Sequence, residues 1–210
     1  QGSYEDWGVD FSADGSSVVY NGITVPSLSC TGRWQWGAFP ELQIGALNVK
    51  TKTGEISGSL SISGSRPKLI TELSGGSNLS ELFDFVETDI LVDPMGFWRG
   101  QELVINQAFR SWDDLTPYGN PLFEGKIQLI EGSFGLAQSN IVFDKVEAEL
   151  SADGRHIAVE RCFLKSEENT AVVQGMIYHA LEPNGYPMVE LRLESPNIDI
   201  DPLLYWEFED

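Results

Sequence analysis

Asn140-Ile-Val-Phe-Asp-Lys-Val-Glu-Ala-Glu-Leu150, then Asp153-Gly154, then Ile157-Ala158-Val159, is the stretch that decides the fold. Val146, Ala148 and Leu150 alternate with glutamates. On an extended chain that pattern sends apolar side chains to one face and carboxylates to the other. Asp-Gly supplies the backbone freedom of a tight hairpin. The stretch is therefore strand, turn, strand. Working outward, the same period of two recurs in Leu42-Gln43-Ile44, Ile56 to Ile62, Ile127-Gln128-Leu129 and Val189 to Leu193. Asp14-Gly15, Asn21-Gly22, Thr53-Gly54, Gly75-Gly76 and Asn184-Gly185 are further hairpin dipeptides. Runs punctuated in this way predict an all-β chain.

Helix is scarce. Ser77-Asn78 caps a predicted short helix through Val86, with Leu79, Leu82, Phe83 and Val86 on one face. A second helical turn is expected after Pro202. The least regular stretch is 94–123, with Trp98, Trp112, Pro117, Tyr118 and Pro121. It is expected to be a loop or cap with one strand near Leu103–Ile105.

Composition bounds the function. The 210 residues hold 13 Lys+Arg against 32 Asp+Glu, a net charge of -19. Nucleic acid is a poor partner for such a chain, because binding needs clustered bases that displace counterions. The 41% apolar content excludes a disordered chain. Two cysteines are too few for a disulfide scaffold. No apolar run is long enough for a membrane-spanning helix.

One spacing recurs: apolar, x, apolar, x, x, apolar, x, apolar. It occurs at Val18/Tyr20/Ile23/Val25, Leu42/Ile44/Leu47/Val49, Ile141/Phe143/Val146/Ala148 and Ile157/Val159/Cys162/Leu164. Chance alone supplies on the order of 6 such spacings in a chain this apolar, so the spacing by itself carries little weight. A longer correspondence carries more. Residues 42–85 run parallel to 157–206, with Gly58 over Gly175, Pro67 over Pro187 and Leu69–Leu73 over Val189–Leu193. The expected organisation is two related antiparallel β units, 1–88 and 124–210, joined by an irregular insert or cap at 89–123. They would form a curled sheet, an open groove or a sandwich.

The region from Gly125 to Leu204 resembles the C-terminal repeats of AsmA-like proteins of the Gram-negative envelope. The similar pieces are Gly125 to Leu129, Asn140 to Leu150, Asp153-Gly154, Val173-Gln-Gly-Met-Ile177 and Leu191-Arg-Leu-Glu-Ser-Pro-Asn-Ile-Asp-Ile-Asp-Pro-Leu-Leu204. These are degenerate β-repeat patterns covering about 40% of the chain, with a looser echo in 1–88. The resemblance implies a periplasmic piece of an inner-membrane-anchored protein. It also implies an open β-groove with an apolar lining, along which lipid tails move in outer-membrane homeostasis.

The physics of alternation allows two outcomes. A sheet that curls without closing leaves an apolar trough, which holds acyl chains by non-directional burial at about 0.8 kcal/mol per CH₂. A sandwich fills the same face with side chains from a second sheet. For the trough, the expected lipid-facing residues are Ile127, Leu129, Ile141, Phe143, Ile157, Val159, Val189, Leu191 and Leu193. A rival reading is a β-sandwich carbohydrate-binding or adhesion module, with Trp34 and Trp36 on one strand face as its sugar platform. A third is a structural interaction domain that stacks on neighbouring repeats of its parent protein through exposed strand edges. At -19, isolated chains repel one another, so a monomer is expected at low salt and association as salt rises.

Catalysis finds little support, and neither a catalytic residue, a cofactor nor a metal is expected. His156 and His179 are the only histidines, and neither has a partner at ligand spacing. Ser65-Arg-Pro-Lys68 and Lys52-Thr-Gly54 match penicillin-binding-protein motifs, but in the wrong order, and Pro67 would disrupt the helix such a Ser needs. Asp199 and Asp201, with Asn197, offer oxygen ligands for calcium without a surrounding loop pattern. Cys30 and Cys162 can be two buried thiols or a pair.

Overall fold

The alternating runs form a single antiparallel sheet. The structure, a computed structural model, describes residues 7–20, 23–37, 40–86, 91–137, 141–167, 169–180 and 186–197. The first five strands are β1 (Trp7–Tyr20), β2 (Ile23–Trp36), β3 (Glu41–Lys50), β4 (Glu55–Ser63) and β5 (Lys68–Asn78). The helix α1 (Leu79–Val86) follows, then β6 (Leu91–Phe109), β7 (Pro117–Leu136), β8 (Val142–Gly154), β9 (His156–Ser166), β10 (Asn169–Tyr178) and β11 (Met188–Asn197). Each strand pairs with the one before it, so the sheet runs in chain order from β1 to β11. The fold is all-β, an open curled sheet rather than a sandwich.

The recurrent spacing has a structural cause. In β3 the pairing to β4 shifts between Ile44 and Leu47, leaving Gly45 and Ala46 opposite a single step. In β9 the pairing to β10 shifts in the same way between Val159 and Cys162. β8 does so between Phe143 and Val146, against Phe134 and Gly132 of β7. Each is a β-bulge. Without the extra residue, the residues beyond it would turn to the opposite face. The two unconstrained positions in the spacing are the bulge, and all four apolar residues stay on one side. The fourth example, Val18 to Val25, instead spans the β1–β2 hairpin, where Val18 faces Val25.

Several expectations need correction. Asp14-Gly15 is no turn: it lies inside β1, with Asp14 opposite Ser29 and Gly15 opposite Leu28. Gly75-Gly76 lies inside β5, where glycine serves close backbone approach. A Cβ on Gly75 would sit 2.1 Å from the Glu55 carbonyl oxygen, and one on Gly76 2.0 Å from that of Trp98. The segment 89–123, expected to be irregular, supplies β6 and the start of β7. β6 bonds to β5 on one side and β7 on the other, so the sheet continues through the expected boundaries at 88 and 124. The predicted helix over 79–86 matches α1. Asn184-Gly185 and the turn after Pro202 lie outside the described residues.

The sheet lacks a second layer among the described residues. Among the described residues the buried apolar side chains are few: Val25, Pro67, Leu79, Trp98, Val146, Ala148 and Val159. The chain keeps 14222 Å² of accessible surface, about half again the ~9,700 Å² of a compact protein of this mass.

Candidate functional site

Directly opposed residues in neighbouring strands share a face. One row can be followed across all eleven strands: Gly15, Leu28, Val49, Ile56, Gly75, Gly100, Ile127, Leu150, Val159, Gly175 and Leu191. Every member is aliphatic or glycine. A second row, Ser77, Trp98, Leu129, Ala148, Cys162, Val173 and Leu193, runs beside it from β5 to β11. The reverse face reads differently: Asp14, Ser29, Asn48, Ser57 and Ser74 form one of its rows. The sheet therefore has an apolar and a polar side. Ten strand spacings of ~4.8 Å make the apolar row ~48 Å long, about three times the ~15 Å depth of one membrane leaflet.

Of the nine residues expected to line a trough, Ile127, Leu129, Ile157, Val159, Val189, Leu191 and Leu193 share this apolar face by register. Phe143 joins it through the β8 bulge, its ring edge-on to Phe134 with centroids 5.6 Å apart. Ile141 lies one residue before β8. At the β11 edge the face is open, with Val189 58%, Leu191 44% and Leu193 46% exposed.

The β2–β5 part is partly roofed. Trp34 and Trp36 stack at 6.1 Å and 21°, and Trp112 stands edge-on to Trp34 at 5.7 Å. Trp112 comes from the β6–β7 loop, and its indole N–H donates to the Gly64 carbonyl in the β4–β5 turn at 2.9 Å. Trp112 thus reaches from the β6–β7 loop past the β4–β5 turn to the ring on β2. Sequence reasoning found Trp34 and Trp36 but not Trp112, whose partner is distant in the chain.

At the other ends of these strands, α1 packs on β5 and β6 and is tied to the β3–β4 turn. Glu81 accepts from the Lys52 backbone N–H at 2.8 Å and the Thr53 hydroxyl at 2.6 Å. The Asn78 N–H donates to Thr53 Oγ1 at 2.9 Å. Burial pushes the Glu81 carboxyl up, but the hydrogen bonds from Thr53, Lys52 and Thr51 outweigh it and leave its pKa below the ordinary value. Beside α1, the buried Trp98 donates its indole N–H to Ser77 Oγ at 2.9 Å. The one large polar group buried on the apolar face of β6, Gln107, turns its amide to the Ala108 carbonyl at 2.7 Å.

The other singled-out residues are scattered. Ser65 to Lys68 spans the β4–β5 turn and Lys52 to Gly54 the β3–β4 turn, so the length of β4, ~30 Å, separates them. Cys30 on β2 and Cys162 on β9 are free thiols seven strands apart on the apolar face, and burial pushes the Cys162 thiol up. His156 Nδ1 accepts from the His179 backbone N–H at 3.1 Å, with the two rings edge-on. Among the described residues no group of three or more His, Cys, Asp or Glu is arranged to hold a metal ion. Asp199 and Asp201 lie outside the described residues. No described helix is long and apolar enough to cross a membrane. No family model, no curated protein and no solved structure matches this chain.

Proposed function

We propose that this chain is a non-catalytic β-groove whose apolar face houses phospholipid acyl chains, as a periplasmic segment of an AsmA-like envelope protein. The observation that carries the reading is the unbroken apolar row from Gly15 to Leu191 on a face without a second sheet among the described residues. Acyl chains suit such a face because they need area and no hydrogen-bond partners. Each methylene removed from water contributes about 0.8 kcal/mol. At Gly75 and Gly175 the missing Cβ admits the neighbouring strand's backbone, so the row stays apolar without a side chain at these points. The periplasmic setting and the parent protein rest on the resemblance of Gly125 to Leu204.

The carbohydrate reading has the stacked Trp34 and Trp36 in its favour. Native mass spectrometry of gently purified protein separates the two. Phospholipid adducts that survive desalting support the groove. Their absence, together with oligosaccharide binding that Trp36→Ala abolishes, supports the sugar platform instead.

A further inference from the structure

We propose that the rim carrying Trp7, Trp36, Tyr118 and Tyr186 is a membrane-docking surface that lies against the interfacial layer of a lipid bilayer. In an antiparallel meander, alternate connections fall on the same rim. The β2–β3, β4–β5, β6–β7, β8–β9 and β10–β11 connections share one rim, and the remaining connections, with α1, share the other.

The two rims differ in chemistry. Trp7, Trp36, Tyr118 and Tyr186 are 52%, 41%, 62% and 94% exposed. Among the described residues these are the large aromatic side chains most open to solvent, and all four lie on the first rim, with exposed Leu115 and Met188 beside them. On the opposite rim the exposed apolar side chains among the described residues are Val19, Val92, Met95 and Val142, none of them aromatic.

Charge divides the same way. Among the described residues, connections on the aromatic rim carry Arg66, Arg110 and Arg155 against Asp113 and Asp114. Among the described residues, those on the opposite rim carry Lys52 against Glu81, Asp84 and Glu167.

Tryptophan and tyrosine suit the bilayer interface because each joins an apolar ring to a polar N–H or O–H. A chain of net charge -19 is repelled by an anionic surface, so the charge-balanced rim is the one that approaches at least cost. A sugar platform would need these rings on one plane, whereas they are spread over β1, β2, β7 and the β10–β11 connection. Docking of this rim does not require the groove to carry lipid.

The test is flotation of the 210-residue protein with neutral phosphatidylcholine–phosphatidylethanolamine vesicles, with tryptophan emission read against brominated acyl chains. The protein is expected to float and its emission to be quenched. Tyr118→Ser/Tyr186→Ser removes two exposed rings and is expected to weaken binding about tenfold, because affinity follows the apolar area inserted. Val19→Ser/Met95→Ser on the opposite rim should stay within about twofold. An absence of flotation, equal loss in both double variants, or no loss in the tyrosine variant overturns the proposal. Phospholipid adducts in native mass spectra report the groove separately. Their loss with flotation intact counts against the groove alone, and their persistence in a tyrosine variant that no longer floats keeps the two readings apart.

Discussion

β3–β5 and β9–β11 are built on one plan and finished differently. In both, the first strand carries a bulge at the same place. Ile44 and Leu47 flank Gly45-Ala46, and Val159 and Cys162 flank Glu160-Arg161. The preceding strand skips the first bulge residue each time, with Ala46 opposite Thr31 and Arg161 opposite Glu149. Leu69 to Leu73 and Val189 to Leu193 then occupy matching positions on the third strands. The glycines fall out of step: Gly58 faces Leu47 beyond its bulge, whereas Gly175 faces Val159 before its bulge. The expected superposition of Gly58 on Gly175 is thus off by one pair. The surroundings differ too. β5 continues into α1 and pairs with β6, while β11 is the last strand of the sheet among the described residues. The bulge holds the apolar face, whereas the glycine and the strand ends are free to vary with what lies next to them.

Removing a bulge residue should have the largest effect. Deleting Ala46 turns either Leu42 and Ile44 or Leu47 and Val49 to the polar face, in a strand paired on both sides. We expect a loss above about 4 kcal/mol or failure to fold. Deleting Arg161 should be milder, because only β10 and β11 lie beyond. Urea unfolding followed by tryptophan emission gives the order, and two silent deletions would break the equivalence of the bulges. Next come the glycines. A methyl on Gly58 would stand 1.9 Å from the Glu72 carbonyl oxygen, inside the sheet. On Gly175 it would stand 2.1 Å from that of Glu190, on an edge strand able to move, although φ of +145° adds strain. Gly58→Ala should cost about 3 kcal/mol and Gly175→Ala about 2.

Glu81→Gln sharpens the difference at the strand ends. Losing the charged acceptor for Lys52 and Thr53 should cost about 2 kcal/mol. The folded carboxyl has a lowered pKa. Its stabilisation is therefore present above the ordinary glutamate range near pH ~4.5 and lost as pH falls through the folded value. Chemical unfolding at pH 7 and pH 3 should show the variant's deficit shrinking in acid. Trp112→Ala should have the smallest effect, about 1 kcal/mol from the lost edge contact, with a red shift of Trp34 emission. An unchanged spectrum would mean that the β2–β5 part is no more roofed than β9–β11.

Much of this was legible in the sequence because side-chain alternation is a local signal. The Val146-to-Val159 hairpin, the α1 boundaries and the shared apolar face of Ile127 and Leu129 follow from it. β6 was hidden because Pro94, Gly96, Gly100, Gln101 and Glu102 interrupt its alternation, and its pairing shifts register on both sides. The bulges were visible as a spacing, but their meaning requires partner strands that a single run does not name. The roof was illegible for the same reason: Trp34 and Trp112 meet only once the strands between them have paired, and Glu81 finds Lys52 and Thr53 only once α1 folds back.

The most direct measurement is photo-crosslinking to phospholipid from single positions on either side of the sheet. Val159 and Leu191 lie on the apolar row, and Gln128 and Glu190 on the polar face. A photoreactive side chain at Val159 or Leu191 should label acyl chains, and one at Gln128 or Glu190 should not. Labelling from Gln128 and Glu190 alone, or equally from all four, would contradict an acyl-chain groove on the apolar face.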